Sequence, residues 1–203
     1  ALRLTSSRPV SPMTDLSAFA PRRVDRPTAS REMSAQHLAQ RVDGLTVDDM
    51  IDTLNENLAG GIIPDHDRFF WRATGLLALH PEAANVLGTV FRDPRASARA
   101  RGLVLDLLAR SGTPEAQLVL VALLDGPDAD GPARPHYLQR LGFVRAPSPE
   151  TLDLATRAMD RPDTRAASFY VLGSLAHTLS EEGRGDESAR CNARLLDALS
   201  HAQ

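Results

Sequence analysis

A short phrase of sequence returns along this chain and sets a repeat length. The near-copies are residues 80–83 (HPEA), 113–116 (TPEA) and 148–151 (SPET), spaced by 33 and then 35 residues. A hydroxyl or imidazole before proline can cap a free backbone N–H, and proline suits the first helical position. Glutamate in the first turn complements the positive end of the helix dipole. Each copy is therefore predicted to begin a helix.

A second helix fits between successive copies of the phrase. Each predicted second helix begins just after a proline and carries apolar residues at helical spacing; the segments are 65–79, 95–111 and 163–179, with a weaker one over 132–144 that has two prolines near its start. Gly112 suits a left-handed C-cap after the second of these. Thr46 and Asp49 have capping-box spacing for a helix over 46–58, and a last helix is predicted over about 185–202.

Two helices per period of about 35 residues, without a strand, are typical of an α-solenoid, in which stacked hairpins share one core. We therefore predict an all-α fold: an α-solenoid of about four helical hairpins within residues 30–203. The chain has 42% hydrophobic but only 4% aromatic residues. Leu, Val and Ala must then form the core, whereas strands would favour more β-branched and aromatic residues.

The paired helices, the Asp-Pro-Arg at 93–95 and the apolar runs rich in small residues resemble HEAT-type or armadillo-type repeats over roughly residues 45–203. This resemblance implies that the solenoid is HEAT-like and right-handed. The phrases SGTPEAQ and APSPETL carry a weaker likeness to the helical superhelix of vitellogenin-type lipoproteins. That family's lipid carriage would imply large β-sheets, and this chain has no long alternating segments to form them. The Trp, Gly and Tyr pattern of tetratricopeptide repeats is absent.

The first residues differ in composition from the rest. Several prolines among Ser, Thr and Arg predict an extended N-terminal arm over 1–29, followed by a capping helix over 30–43 that places Met33, His37, Leu38 and Val42 on one side. Residues 1–44 hold seven arginines against four acidic residues, while residues 45–203 hold sixteen against twenty-two. The arm and the body are therefore predicted to carry opposite net charge.

The arm contains one candidate docking segment. Leu16 and Phe19 stand three residues apart, so one helical turn would place them on the same side, with Arg22 and Arg23 available to an acidic surface. We expect this segment to bind a partner or to join copies of the chain into a homo-oligomer. The alternative is a simple linker.

A search for catalytic chemistry yields little. The six histidines form no HExxH motif, and Asp-His-Asp at 65–67 is interpreted as a helix start and not as a metal site. The single cysteine, Cys191, excludes an internal disulfide and is expected to be a packing residue. We therefore expect no enzyme activity, no catalytic residues, no cofactor and no metal.

The overall charge and hydropathy exclude two further classes of partner. A net charge of −3 gives no reason to expect nucleic acid, and no run of eighteen apolar residues predicts a membrane span. The expected compartment is the cytoplasm. An exported mature chain is the alternative, because the sequence begins at Ala1 without methionine.

Candidate partner-binding residues follow from helix position. Arg92, Arg95 and Arg99 stand at i, i+3 and i+7 around a helix start, which indicates either a solvated face or a small site for an acidic partner segment or phosphate. Trp71 lies beside Gly75 in helical projection, as either an inter-repeat contact or an exposed binding anchor. Second helices of such hairpins usually line the concave side, which adds further candidates: Arg68, Arg72, Arg99, Tyr137, Arg140 and Arg165.

These features favour a non-enzymatic protein-binding adaptor or a structural subunit of an assembly. The alternative function is a helical-repeat enzyme or enzyme-associated subunit of the lyase or glycosylase kind. A cluster of titratable side chains in one pocket would favour that alternative.

Overall fold

The computed structural model describes residues 42–200, and within that range all regular structure is helical. The α-helices are α1 Val47–Glu56, α2 His66–Leu79, α3 Ala83–Arg92, α4 Ala98–Ser111, α5 Pro114–Asp125, α6 Arg134–Leu138, α7 Pro149–Arg157, α8 Arg165–Glu181 and α9 Gly185–Ser200. Short 3-10 turns lie at Pro127–Ala129, Gln139–Phe143 and Ala158–Asp160. The prediction of an all-α protein is confirmed for this part of the chain. The arm over 1–29, nearly all of the capping helix over 30–43 and the end of the last helix at Ala202 lie outside the described residues.

Two copies of the repeated phrase begin helices as predicted. The Thr113 Oγ1 accepts a hydrogen bond from the Ala116 N–H (3.2 Å), and the Ser148 Oγ accepts one from the Thr151 N–H (3.2 Å). A proline follows each cap at the start of the helix. The hydroxyl caps therefore define where α5 and α7 begin.

The first copy behaves differently, and the prediction of a histidine cap is wrong. Residues 81 and 82 form a turn, and α3 begins only at Ala83. The Ala83 N–H donates to the carbonyl oxygen of His80 (3.0 Å), while the imidazole Nδ1 of His80 lies 3.3 Å from the Glu82 carboxylate. The ring is engaged by Glu82 and supplies no cap to the backbone.

Helix boundaries elsewhere follow the local caps. Thr46 and Asp49 form the predicted capping box, and Gly112 ends α4 with a φ of 75°. However, α4 begins at Ala98 and not at Arg95, because the Ser97 Oγ caps the Ala100 N–H (3.2 Å). The side chain of Asp93 holds Arg95 in the preceding turn instead.

The weak helix predicted over 132–144 is broken into α6 and a 3-10 turn. The Ser174 hydroxyl of α8 donates to the carbonyl oxygen of Gly142 (2.7 Å). A Cβ at Gly142 would lie 3.2 Å from the Tyr170 ring, so the backbone of the turn packs closely on α8. This contact between turn and helix replaces the last turns of a continuous α-helix.

The helices alternate between two rows. Helices α1, α3, α5 and α7 lie side by side in the first row, while α2, α4, the 3-10 turn at 139–143 and α8 form the second, and α9 packs on α8. Leucines from both rows fill the space between them and are fully buried, among them Leu87, Leu105, Leu120, Leu123 and Leu175. A core of aliphatic side chains agrees with the low aromatic content.

Gln117 shows how one repeat holds the next. This side chain, only 3% exposed, donates from Nε2 to the carbonyl oxygen of Ala146 (3.1 Å). Its Oε1 accepts from the Ser148 N–H (2.8 Å) and from the Thr151 hydroxyl (3.1 Å). The cap that begins α7 is thus held by α5, its neighbour in the first row.

Candidate functional site

A cavity of about 420 Å³ opens between the end of α1, the start of α2, α4 and α6. Its lining includes four apolar side chains, which we call the apolar wall: Leu54, Ile63, Phe70 and Leu103. Five polar side chains belong to the same lining, and we call them the polar wall: His66, Arg99, Asp106, His136 and Arg140. Segments far apart in sequence therefore bring five titratable side chains to one cavity, which is the usual arrangement of a ligand site.

The loop that follows α1 fixes one rim of the cavity. The Ser97 N–H donates to the carbonyl oxygen of Leu58 (2.7 Å), which ties the start of α4 to this loop. Gly60 has a φ of 93°, and a Cβ there would lie 3.2 Å from the Ser97 Oγ. Since that conformation and that approach both favour glycine, Gly60 allows the loop to lie against the first turn of α4. Arg99, two residues beyond the cap, is thereby placed on the cavity wall.

Asp106 and Arg140 form the inner part of the polar wall. The Asp106 Oδ1 lies 3.4 Å from the Arg140 Nε, and their side chains are 24% and 18% exposed. Neither atom has a hydrogen-bond partner among the described residues. The Arg140 Nη2 lies 3.2 Å from the His136 Nε2, and because a guanidinium only donates, that nitrogen accepts. The Asp106 Oδ1 and the Arg140 Nε therefore face each other as a buried ion pair without a hydrogen bond.

Burial raises the pKa of the Asp106 carboxyl above its usual value, and the neighbouring charges of Arg140 and Arg110 and the two cavity histidines only partly oppose that effect. The carboxyl therefore keeps its proton to a higher pH than a solvated aspartate does.

The basic side chains at the cavity differ in how many partners they have. Arg99 is exposed and makes no ion pair or hydrogen bond with any described residue. The His66 ring stacks on Phe70 with centroids 6.2 Å apart, and its Nδ1 lies 3.5 Å from Asp67. With two arginines against one carboxyl, the polar wall favours an anion.

Two predicted partner-binding arginines, Arg68 and Arg72, contact the chain itself. The Arg68 Nη2 lies 2.5 Å from the Asp43 carboxylate and holds the pKa of that carboxyl below its usual value. Arg72 donates from Nε to the carbonyl oxygen of Val42 (2.8 Å) and from Nη2 to that of Asp43 (2.5 Å). Both side chains thus fasten α2 to the segment that leads into α1.

Arg92, Arg95 and Arg99 do not share one helical face, which corrects the predicted spacing. Arg92 ends α3 and pairs with Asp128 (3.0 Å). Arg95 lies in the turn before α4 and binds Asp93 through Nε (3.0 Å) and Nη2 (2.7 Å), which lowers the pKa of Asp93 to about 2. Among these three, only Arg99 reaches the cavity.

Of the remaining predicted residues, Tyr137 is a core residue and not a surface residue. It is 4% exposed and its ring meets Phe91 edge to face at 5.8 Å. Arg165 is exposed, and its Nε donates to the carbonyl oxygen of Met159 (3.1 Å). Arg140, by contrast, lies on the cavity wall as described above.

Trp71 keeps 51% of its surface exposed and meets the Phe70 ring edge to face at 5.5 Å. Residues 42–200 therefore leave half of this side chain uncovered. The predicted docking residues of the arm, Leu16, Phe19, Arg22 and Arg23, lie outside the described residues.

The sequence reasoning missed three cavity residues. Asp106 stands alone as an acid within the apolar run LVLDLLA at 103–109, and that pattern could have marked it. His66 was interpreted only as part of a helix start, and His136 follows a proline in the weakest predicted helix. Their convergence depends on packing between distant helices, which spacing within one helix does not reveal.

Comparison with protein-family models, with curated proteins and with solved structures gave no match. Within residues 42–200, no group of three or more His, Cys, Asp or Glu side chains is arranged to hold a metal ion. In the same range, no helix combines the length and apolar character needed to cross a membrane. Cys191 is buried, and burial raises the pKa of its thiol. A raised thiol pKa agrees with a packing role.

Proposed function

We propose that this chain is a HEAT-like, right-handed α-solenoid of about four hairpins that acts in the cytoplasm as a protein-binding adaptor or structural subunit. The alternation of two rows of helices supports this architecture, as does the Gln117 link between successive phrase copies. In such proteins each repeat contacts mainly its neighbours, which leaves extended surfaces for partners.

The proposed docking site is the polar wall of the cavity, where an acidic segment of a partner protein would bind. The observation that carries this proposal is the convergence of Arg99 and Arg140 on one cavity, with Arg99 unpaired among the described residues and Asp106 as the single carboxyl of the lining. Arginine binds carboxylates in fork geometry, and charge complementarity contributes specificity as well as association rate.

Affinity purification from the native cell tests the proposal. The bait would be the parent chain, Arg99→Glu or Arg95→Glu; the last is the matched control, because Arg95 is an exposed arginine paired with Asp93 outside the cavity. We expect specific partners to be lost with Arg99→Glu and kept with Arg95→Glu. The same set of partners from all three baits would contradict docking at the cavity.

For the arm we propose a second contact, through Leu16 and Phe19 with Arg22 and Arg23 at its edge, that joins the chain to a partner or to another copy. The opposite net charges of the arm and the body support this contact. Sedimentation of the double variant Leu16→Ala/Phe19→Ala should show a smaller assembly than the parent. An unchanged assembly and unchanged partners would leave the arm as a linker.

The alternative function, an enzyme or enzyme-associated subunit of the lyase or glycosylase kind, is favoured by one observation: Asp106, His66 and His136 share the cavity. A carboxyl whose pKa is raised by burial, as that of Asp106 is, is a common feature of catalytic sites. Assays for base excision and strand cleavage on damaged DNA, with the parent and Asp106→Asn, test this alternative. Activity that the substitution abolishes would establish the enzyme and displace the adaptor.

A further inference from the structure

The two walls of the cavity differ in chemistry, and that difference constrains the ligand. Leu54, Ile63, Phe70 and Leu103 offer only carbon to whatever lies against them. Leu54 and Ile63 are already buried, whereas a small inorganic anion would leave the uncovered parts of Phe70 and Leu103 in contact with water. A ligand that covers these parts gains about 25 cal/mol for each Å² of apolar surface buried.

The same lining also carries the charged groups. Arg99 is exposed and makes no pair among the described residues, and the Arg140 Nε faces the Asp106 Oδ1 at 3.4 Å. The charged side chains that line the cavity are thus two arginines and one carboxyl. A ligand with negative charge would supply the acceptor that Arg99 lacks.

We propose that the cavity binds a carboxylate carried on an apolar body, with the carboxylate against Arg99 and Arg140 and the body against Leu54, Ile63, Phe70 and Leu103. This chemistry is found in a free organic acid and at the end of a peptide whose last residue is apolar. The inference uses the cavity of the proposed function and specifies what it recognises.

Other ligand classes match the cavity less well. A cation would meet two arginines, and the single carboxyl among the lining residues already faces Arg140. An uncharged apolar molecule would cover the Arg99 guanidinium without supplying an acceptor, and covering a charged donor without a partner is costly. A volume of about 420 Å³ lies in the range of small-molecule sites, which suits one ring or short chain with its carboxylate.

Calorimetric titration of the full chain with matched probes tests the inference. The probes are 3-phenylpropionate, its uncharged amide 3-phenylpropionamide, and acetate, which has the charge without the body. We expect 3-phenylpropionate to bind one to one and each of the other two to bind at least about tenfold more weakly. Equal binding of acid and amide, equal binding of acetate, or no binding of the acid at millimolar concentration would overturn the inference.

Substitutions that remove a positive or a negative charge from the cavity locate the binding site. Arg99→Gln and Arg140→Gln should each weaken 3-phenylpropionate about tenfold, whereas Asp106→Asn should tighten it, because a negative charge is removed. Arg95→Gln is the control and should leave binding unchanged. If Arg140→Gln loses helical content by circular dichroism, the exposed Arg99 carries the test alone. Equal affinities for Arg99→Gln and Arg95→Gln would place the binding elsewhere and overturn the inference.

A further set of titrations, with short peptides as probes, separates this inference from the adaptor function. These titrations compare a peptide that ends in Phe with a free carboxylate, the same peptide with an amidated end, and an amidated peptide that has internal Glu residues. Binding of the free end alone supports both proposals. Binding of 3-phenylpropionate without any peptide supports the inference and contradicts the adaptor at this site, whereas preference for the internal acidic peptide supports the adaptor and overturns the inference.

Discussion

Two pairs of arginines in the second row of helices have opposite roles. Arg68 and Arg72 on α2 direct their guanidinium groups at Asp43 and at two carbonyl oxygens of the preceding chain. Arg99 and Arg140 lie on the cavity lining, where the former makes no described pair and the latter faces the Asp106 carboxyl at 3.4 Å without a hydrogen bond to it. Residue type and row are the same in both pairs. The difference is that oxygens of the described residues accept hydrogen bonds from Arg68 and Arg72 and from neither cavity arginine, so only the second pair is proposed to bind a ligand.

Among the arginines with a structural role, we expect Arg134 to contribute most to stability, because its side chain lies in a residue that is only 6% exposed. It donates to the carbonyl oxygen of Leu124 (3.1 Å) and pairs with Asp130. Arg134→Ala should lower the free energy of unfolding by about 2 to 3 kcal/mol, because a buried carbonyl loses its charged donor. Urea denaturation measures this change. Arg161→Ala, which removes an exposed pair with Asp163, is the control and should change little.

The difference between the two arginine pairs is tested by comparing the stabilities of Arg72→Ala and Arg99→Ala. Removing the two backbone hydrogen bonds of Arg72 should cost about 1 to 2 kcal/mol of unfolding free energy, whereas removing Arg99 should leave stability unchanged. Both variants would be unfolded in urea under the same conditions. Equal losses would show that Arg99 has a structural partner and would remove the distinction between the two pairs.

Gly102 allows the cavity to be narrowed without harm to the fold. It is a buried residue within α4, and an added Cβ would lie 3.7 Å from the Arg140 Nη2, an ordinary contact. Gly102→Ala should therefore stabilise α4 by up to about 1 kcal/mol through helix propensity. The melting temperature should rise while 3-phenylpropionate binds no more tightly than to the parent. A fall in melting temperature would mean that α4 and Arg140 are closer than described.

The smallest expected change in stability comes from Asp106, and this change depends on pH. Because its pKa in the folded state is raised above 3.8, the folded protein holds this proton longer than the unfolded chain does. The contribution of Asp106 to the free energy of unfolding is then greatest at low pH, and it falls as the pH rises from about 4 through the pKa of the folded state. The melting temperature of Asp106→Asn, relative to the parent at each pH, should increase from about pH 4 to about pH 7. A relative decrease would show that ion pairing with Arg140 outweighs burial.

Much of the fold could be predicted because its signals are local. Thr113 and Ser148 each carry the cap, the proline and the first-turn acid within four residues, and both begin helices as expected. The copy at His80 shows where such reasoning stops, since its side chain is engaged by Glu82. The break after Leu138 depends on contact between Gly142 and α8, which no local pattern encodes.

The cavity could be predicted only in part. Arg99 and Arg140 were expected on a partner surface from their row, but nothing in their spacing joins them to Asp106 or to Phe70. Tyr137 shows the converse: its position predicts a surface role, yet packing against Phe91 buries it. Burial and pairing between distant segments decide such roles, and they arise from the tertiary arrangement of the rows.

The most direct test of the difference between the two arginine pairs is backbone amide chemical-shift mapping with 3-phenylpropionate. We expect concentration-dependent changes in the amide chemical shifts of Gly60, Gly61 and Gly102, which line the cavity. The amides of Asp43 and Gly44, beside the arginines that are already paired, should stay unchanged. Shifts centred on Asp43 and Gly44, with none at the cavity glycines, would contradict the assignment of Arg99 and Arg140 as the arginines that bind the ligand.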